Sequence, residues 1–303
     1  MKIILLLISL SIFSISCSPR KMVMRNLTES LSGEAAFLTG EDDPELIREA
    51  LPFTMKFYET LLQQESNNPQ LHLTTGKLFI LNAHIFLMLP ADTLQMHNDP
   101  QAAILRRRAK NHYLRGRDHV LRGLEILYPG ITDSIRTGCI DSALSQVSIS
   151  DTSYLYWSSV AWLGAIRADR RDLALGLSVR RPAALLHKTI SLKSDFGEGA
   201  AHEALSLYLS SAPTSLGGDM DKAKEHFQKA LSYSSGKNAS TFVSGALNFA
   251  VKENDKQSFR ELLTQATRIN PYEDQSTVFM NTVYRNHARW LLDKKNHFFS
   301  SED

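Results

Sequence analysis

The sequence predicts an all-α protein, a degenerate tetratricopeptide-like array of helical hairpins with roughly a dozen helices. Three observations predict it. Apolar residues recur at helical spacing along almost every long segment, as in Leu46, Ala50, Phe53, Phe57 and Leu61, and again in Leu105, Ala109, Tyr113, Gly116, Val120, Leu124 and Leu127. No convincing Asn-Gly or Asp-Gly hairpin sits between alternating runs, so strand signals are scarce. One set of offsets also occurs three times: Ala183, His187, Ile190 and Asp195; Ala223, Phe227, Ala230 and Ser235; Phe259, Leu263, Ala266 and Pro271. These are the offsets of the second helix of a tetratricopeptide repeat, with separations longer than the usual value of about 34 residues. Val160, Leu163 and Gly164, and later Val243, Ala246, Leu247 and Ala250, fit loosely as the preceding first helices. Two antiparallel helices approach closely only where small residues sit, and neither buries its apolar face until a neighbouring pair stacks on it.

The chain order follows from local signals. Residues 1–16 read as an export signal, with Lys2 as the positive start, an apolar run to Ile15 and the small Ser16 at the cut. Cys17 then stands where bacterial lipoproteins are cut and lipidated, although the box Ser14-Ile15-Ser16-Cys17 lacks the common leucine three residues before the cysteine. A plain secretory signal is the alternative. Residues 17–45 read as lipidated cysteine, polar tether and a first helix over Met22 to Leu38, and residues 46–303 as one helical repeat domain. Asp43-Pro44 has the form of a helix cap followed by proline in the first turn. A weaker repeat trace ends at Pro69, with Gly76 and Phe79 opening the next helix. Residues 130–151, rich in Ser, Thr and Asp, read as a short helix flanked by loops and as the internal boundary, if there is one. No segment after the signal reads as apolar for the ~20 residues a membrane span needs.

Composition narrows the function classes. With 34 Lys and Arg against 32 Asp and Glu, the net charge of +2 gives no electrostatic argument for nucleic acid. Once Cys17 is lipidated, Cys139 is a lone thiol, so stability comes from core burial. No HExxH, GxSxG, phosphate-binding loop or dinucleotide fingerprint occurs, so neither a cofactor nor a catalytic residue is nominated.

Several stretches together resemble a known family. They are EALPFTMKFYETLLQQESNNP ending at Pro69, RRRAKNHYLRGRDHVLRGLEILYPGI ending at Ile131, SSVAWLGAIRA around Trp162, GEGAAHEALSLYLSSAP, SLGGDMDKAKEHFQKAL from Ser215, and NHARWLL near Trp290. Spread over most of the mature chain, they look like the TatT family, the T component associated with tripartite TRAP transporters. The resemblance implies a periplasmic lipoprotein of cryptic tetratricopeptide-like hairpins, a homotrimer, a hydrophobic channel through each protomer, and pairing with the transporter's extracytoplasmic solute-binding subunit.

Candidate residues for a ligand or partner groove follow. Ala109, Gly116 and Gly123 fall seven apart, permitting close approach of a partner helix, with Arg108, Arg115 and Arg122 one position behind at the edge of that stripe. Arginines there, Arg117 among them, suit a carboxylate at the mouth of a groove; a solvated face with stems over apolar surface is the simpler reading. Tyr154, Tyr156, Trp157 and Trp162, together with Tyr208, offer aromatic surface for a channel or a partner anchor, and core packing accounts for such residues more cheaply; Tyr113 on the arginine-bearing helix completes the groove candidates. Gly217 and Gly218, after Pro213, form a constrained turn before a cap at Asp219 or Asp221, which serves either as a backbone opening or as a tight hairpin. Glu198 and His202, four apart, with Glu203 beside them, are the acid/base pair a hydrolase would need; a hydrogen bond between them is the simpler reading. The expectation is a non-catalytic scaffold that docks a solute-binding protein and passes or shelters a hydrophobic carboxylate. The alternative is a lipoprotein of an envelope-assembly complex that grips proteins or peptides.

Overall fold

The computed structural model describes residues 39–97 and 99–299. The expected signal, Cys17 and the helix over Met22 to Leu38 lie outside the described residues. Within them every regular element is helical and no strand occurs, as the apolar spacing predicts.

Helix starts follow the caps. Asp43 accepts from the amides of Glu45 and Leu46 to open α1 (Pro44–Gln64), with Pro44 in the first turn. Asn68 opens α2 (Pro69–Leu81) and Asp99 opens α4 (Pro100–Leu127) in the same way. Between them α2 passes through a π-helical turn, Asn82–Met88, into α3 (Leu89–Gln95). This continuous run, Pro69–Gln95, is 27 residues long and its most apolar 18-residue window has a mean hydropathy of 1.3, long and apolar enough to cross a membrane, which corrects the expectation that no such segment follows the signal. Its apolarity has a different cause, since 72% of the window is buried inside the protein, packed against α1, α4 and the later α7 (Thr152–Ala168).

The small-residue stripe sets how close α2 and α4 come. A side chain on Gly116 would meet the Gly76 carbonyl at 2.9 Å, and one on Gly76 would meet the Gly116 carbonyl at 2.7 Å. The two backbones therefore touch where the sequence placed glycine in both.

Residues 130–151 form two short helices, α5 (Ile131–Thr137) and α6 (Ile140–Ser145), where one was expected. Ile131, Ile135, Leu144 and Val147 are buried in the same core as α4 and α7. Beyond α7 come the five-residue α8 (Leu173–Leu177), α9 (Arg180–Leu192), α10 (Ala200–Ser211), α11 (Met220–Tyr233), α12 (Ala239–Gly245), which runs into a second π-helical turn Ala246–Ala250, α13 (Lys256–Arg268) and α14 (Val278–Asp293). The hairpins α7 with α9, α10 with α11 and α12 with α13 match the repeats read from spacing. Ala223, Phe227 and Ala230 on α11, and Phe259, Leu263 and Ala266 on α13, are buried at the repeated positions. The first unit is looser, for His187 on α9 is exposed.

The core has three overlapping parts. One joins α2 to α4 through α7, and another joins α9, α10 and α11 with Phe249. The remaining part draws on both ends of the described chain: Ile47, Leu51 and Met55 of α1 pack in one cluster with Phe259 and Leu263 of α13 and Phe279 and Leu291 of α14. The array thus turns back on itself, and α1 meets α14. The Tyr272 hydroxyl donates to the Asp42 carboxylate at 2.6 Å across the same seam.

Candidate functional site

Closure of the array brings polar groups from distant helices together on its inner side. Lys77 and His84 lie seven apart, two turns along a largely apolar run. His84 sits in the π-helical turn, with Nδ1 3.2 Å from the Tyr113 hydroxyl of α4 and Nε2 2.5 Å from the Tyr284 hydroxyl of α14. A neutral imidazole has one donor and one acceptor nitrogen, so one tyrosine receives its proton and the other supplies one. Burial, reinforced by Arg167, depresses the His84 pKa to about 4, so the ring is neutral near pH 7. The same burial holds the hydroxyls of Tyr113 and Tyr284 well above the usual phenol range.

Beside this bridge lie Glu203 of α10 and Tyr156 and Trp157 of α7. Glu203 accepts from the hydroxyls of Thr241 at 2.8 Å and Ser240 at 3.1 Å, both on α12, yet burial outweighs these bonds and raises its carboxyl pKa. Glu203, Tyr113 and Tyr156 are all near enough to Tyr284 to shift its ionisation. The Lys77 ammonium stands 5.5 Å over the Trp157 ring, whose neighbour Tyr156 meets it edge-on at 5.3 Å. Lys77, His84, Tyr156, Trp157 and Glu203 each keep some accessible surface. Of these, His84, Tyr156 and Glu203 are strongly desolvated while still keeping surface, so they lie deep between the helices without being fully close-packed.

One end of this interior is braced by charge. Asp92 of α3 accepts from Arg106 at 2.8 Å and from Arg167 at 2.5 Å, and His287 of α14 is close enough to feel both Asp92 and Arg167. Burial dominates at His287 too, with a pKa pushed down to about 4.

The residues nominated from sequence are spread over several places. Tyr113 is buried in the core with its hydroxyl on His84, and Trp157, half-buried, lies between Lys77 and Tyr156. Trp162 is buried, its indole N–H donating to the Ser178 hydroxyl at 2.8 Å while the Arg117 guanidinium lies 4.8 Å over its ring. Arg117 is also paired with Asp118 at 2.7 Å. Arg115 points to a different side: it pairs with Glu59 of α1, packs 4.8 Å over Phe79, and lines an open groove of ≈ 430 Å³ with His72, Asp118, His119 and Arg122. Arg108 is exposed on α4. Tyr208 donates to the Leu216 carbonyl at 2.5 Å; Gly217 stands over that hydroxyl with φ 96°, where a Cβ would be 2.4 Å from it. Gly218 approaches the Ala212 carbonyl so closely that no side chain fits. Asp219, rather than Asp221, caps α11.

The pairing of Glu198 with His202 is overturned. Glu198 has φ 52° in the turn before α10, whose helix begins only at Ala200, so the two do not share a helical face. His202 instead meets His226 of α11, Nδ1 to Nδ1, at 2.7 Å. Among the described residues no group of three His, Cys, Asp or Glu is placed to hold a metal.

Sequence reasoning missed His84, Lys77, His287 and Tyr284 as inner residues. A signal existed for two of them: a lysine and a histidine two turns apart on one face of the most apolar helix ask for a polar environment inside. Tyr284 and His287 carry no such signal, because their partners lie some 200 positions away, as in the pair of His84 with Tyr284.

Glu203 supplies a test of this geometry. Glu203→Gln keeps an acceptor for Ser240 and Thr241 and removes the buried acid, so thermal stability is expected to equal or exceed the wild type, with an advantage that grows as pH rises. Glu203→Ala leaves two hydroxyls without their acceptor and is expected to cost about 1–3 kcal/mol. Melting curves at pH 5 to 8 check both; a Gln variant weaker than the Ala variant would contradict the arrangement.

A set of helical hairpins that closes on itself, with polar groups from distant helices gathered on its inner side, defines the class: an all-α protein of the tetratricopeptide-like kind. The chain belongs to the TRAP transporter T-component family, which it matches over residues 40–299. It is 28% identical over 305 residues to an uncharacterized protein of Treponema pallidum (strain Nichols), covering 93% of each chain. It is therefore a component associated with TRAP transporters, membrane-associated or periplasmic as such components are.

Proposed function

We propose that the protein is a non-catalytic, lipid-anchored scaffold that docks the extracytoplasmic solute-binding subunit of a TRAP transporter as a homotrimer and shelters or passes a hydrophobic organic acid through its interior. The observation that carries this reading is the closed array, whose inner side sets aromatic surface from Tyr156, Trp157 and Tyr284 beside His84, Glu203 and Lys77. Aromatic walls suit an acyl or aryl body, while a few placed polar groups orient its head. Arg115 and Arg122, on the outer groove, and Arg108 are the residues that would meet an anionic head or an acidic partner on the way in. Cys17 carries the anchor.

Co-purification from membranes distinguishes this from an envelope-assembly role. Recovery of a solute-binding subunit is expected; recovery of outer-membrane assembly or wall-synthesis proteins in its place would assign the alternative. Native mass spectrometry is expected to find a trimer carrying a small organic acid, and labelled fatty acid is expected in the wild type but not in Cys17→Ala. The ligand reading is lost if extraction yields no small molecule and if Arg115→Ala and Arg122→Ala leave partner and ligand binding unchanged.

A further inference from the structure

Between α7 and α9 the chain projects α8, a five-residue helix that is held rigidly from below and apolar on top. Asp172 caps it by accepting from the Leu175 amide at 2.9 Å, and the Lys110 ammonium of α4 donates to both Asp169 and Asp172 at 2.8 Å. Ser178, bonded by Trp162, donates to the Leu175 carbonyl at 2.6 Å, and Leu175 itself packs into the core. So held, Leu173 and Leu177, four apart and on one face, are 78% and 71% exposed. Arg170 and Arg171 precede them; Arg180 and Arg181 follow. Among the described residues none of these four arginines pairs with a carboxylate. Arg180 and Arg181 are steadied by main-chain carbonyls instead, those of Ser215 at 3.0 Å and Arg136 at 2.8 Å.

We propose that α8 is a membrane-docking tip: Leu173 and Leu177 enter the apolar margin of an anionic phospholipid surface while Arg170, Arg171, Arg180 and Arg181 meet its phosphates. Charge selects an anionic occupant, because guanidiniums without a carboxylate partner flank the leucines on both sides, and such groups bind phosphate oxygens through paired N–H bonds. Area favours lipid over protein. A stable protein interface buries about 1,200–2,000 Å², of which two leucines and Ala174 on a single short helix supply a small part. A bilayer surface asks for no complementary shape, only apolar side chains held outward beside basic ones. This contact stands apart from the transport reading, since it uses no residue of the interior and concerns the orientation of the scaffold on its membrane.

The test uses the mature chain, residues 17–303, with Cys17→Ser so that no attached lipid obscures the result. It is sedimented with vesicles of phosphatidylcholine alone and of phosphatidylcholine with phosphatidylglycerol. Binding to the anionic vesicles only is expected, weakened by salt. Arg170→Gln with Arg171→Gln is expected to weaken it about thirtyfold, and Leu173→Ser with Leu177→Ser by at least about tenfold. Both variants change exposed side chains, and unchanged helical content and melting temperature confirm their folding. The proposal is overturned if the wild type ignores anionic vesicles, or if the variants bind them as it does. It is equally overturned if Leu173→Ser with Leu177→Ser lowers the oligomeric mass in light scattering, which assigns the face to a second copy of the chain.

Discussion

Phe259→Ala is expected to lose about 3–5 kcal/mol of unfolding free energy, the usual cost of emptying an aromatic site in a core. Phe259 has no exposed surface and packs its ring 5.4 Å from Phe298 and 5.1 Å from Phe299. It belongs to the part of the core that joins α1 to α13 and α14. The cavity therefore opens where the array closes, and limited proteolysis should release the segment after α12 before any other. Phe53→Ala makes the contrast. Its ring is 75% exposed, so the same truncation should change stability by no more than about 0.5 kcal/mol. Urea unfolding of the two variants checks the difference, and a cost below about 1 kcal/mol for Phe259→Ala would show that the seam is not packed as described.

Acid should open the same seam. The pKa of His84 and that of His287 are each depressed to about 4 by burial, against a value near 6.5 for an unfolded chain. Between pH 6.5 and 4 the unfolded chain takes up protons that the folded one refuses. The stability these rings contribute is therefore fully present above pH 6.5 and is lost as pH falls toward 4. A tenfold difference in proton affinity between the folded and unfolded chain is worth about 1.4 kcal/mol, so the two rings together amount to a loss on the order of 6 kcal/mol by pH 4. Protonation of His84 also removes the acceptor that one of Tyr113 and Tyr284 needs, which breaks the link between α2, α4 and α14. Glu203 acts with the opposite sign. Its raised pKa means that its contribution is present at low pH and declines as pH rises through the folded value, so it softens the loss without reversing it. The urea midpoint should fall steeply from pH 6.5 to 4.5, and less steeply in His84→Gln. A flat midpoint across that window would sink the account.

Much of the fold was legible because helical periodicity, caps and small-residue stripes are local. Asp43-Pro44 marks a helix start wherever the chain goes, and Gly116 with Gly76 permits close approach once two helices run antiparallel. The repeated offsets at Ala223 and Phe259 likewise place buried faces on α11 and α13. What they bury against is another matter. Glu198 illustrates the limit: spacing alone put it on a helix with His202, but Gly197 and Gly199, both at positive φ, hold the chain in a turn until Ala200. The apolar run Pro69–Gln95 illustrates it from the other side, since hydropathy does not distinguish a helix surrounded by protein from one surrounded by lipid.

By itself, then, the sequence determined an all-helical chain of stacked hairpins, and the residues that cap and separate them, through interactions a few positions long. Only the tertiary structure decided that the array closes, with α1 against α14, and that His84, Tyr113, Tyr284 and Glu203 meet on its inner side. It also separated Arg115, held by Glu59, from Arg117, held over Trp162, although the two are neighbours on one helix. The physical reason is curvature. Each hairpin stacks on the next with a small rotation fixed by side-chain volumes, and the sum of those rotations, which no single repeat contains, decides which helices finally face one another.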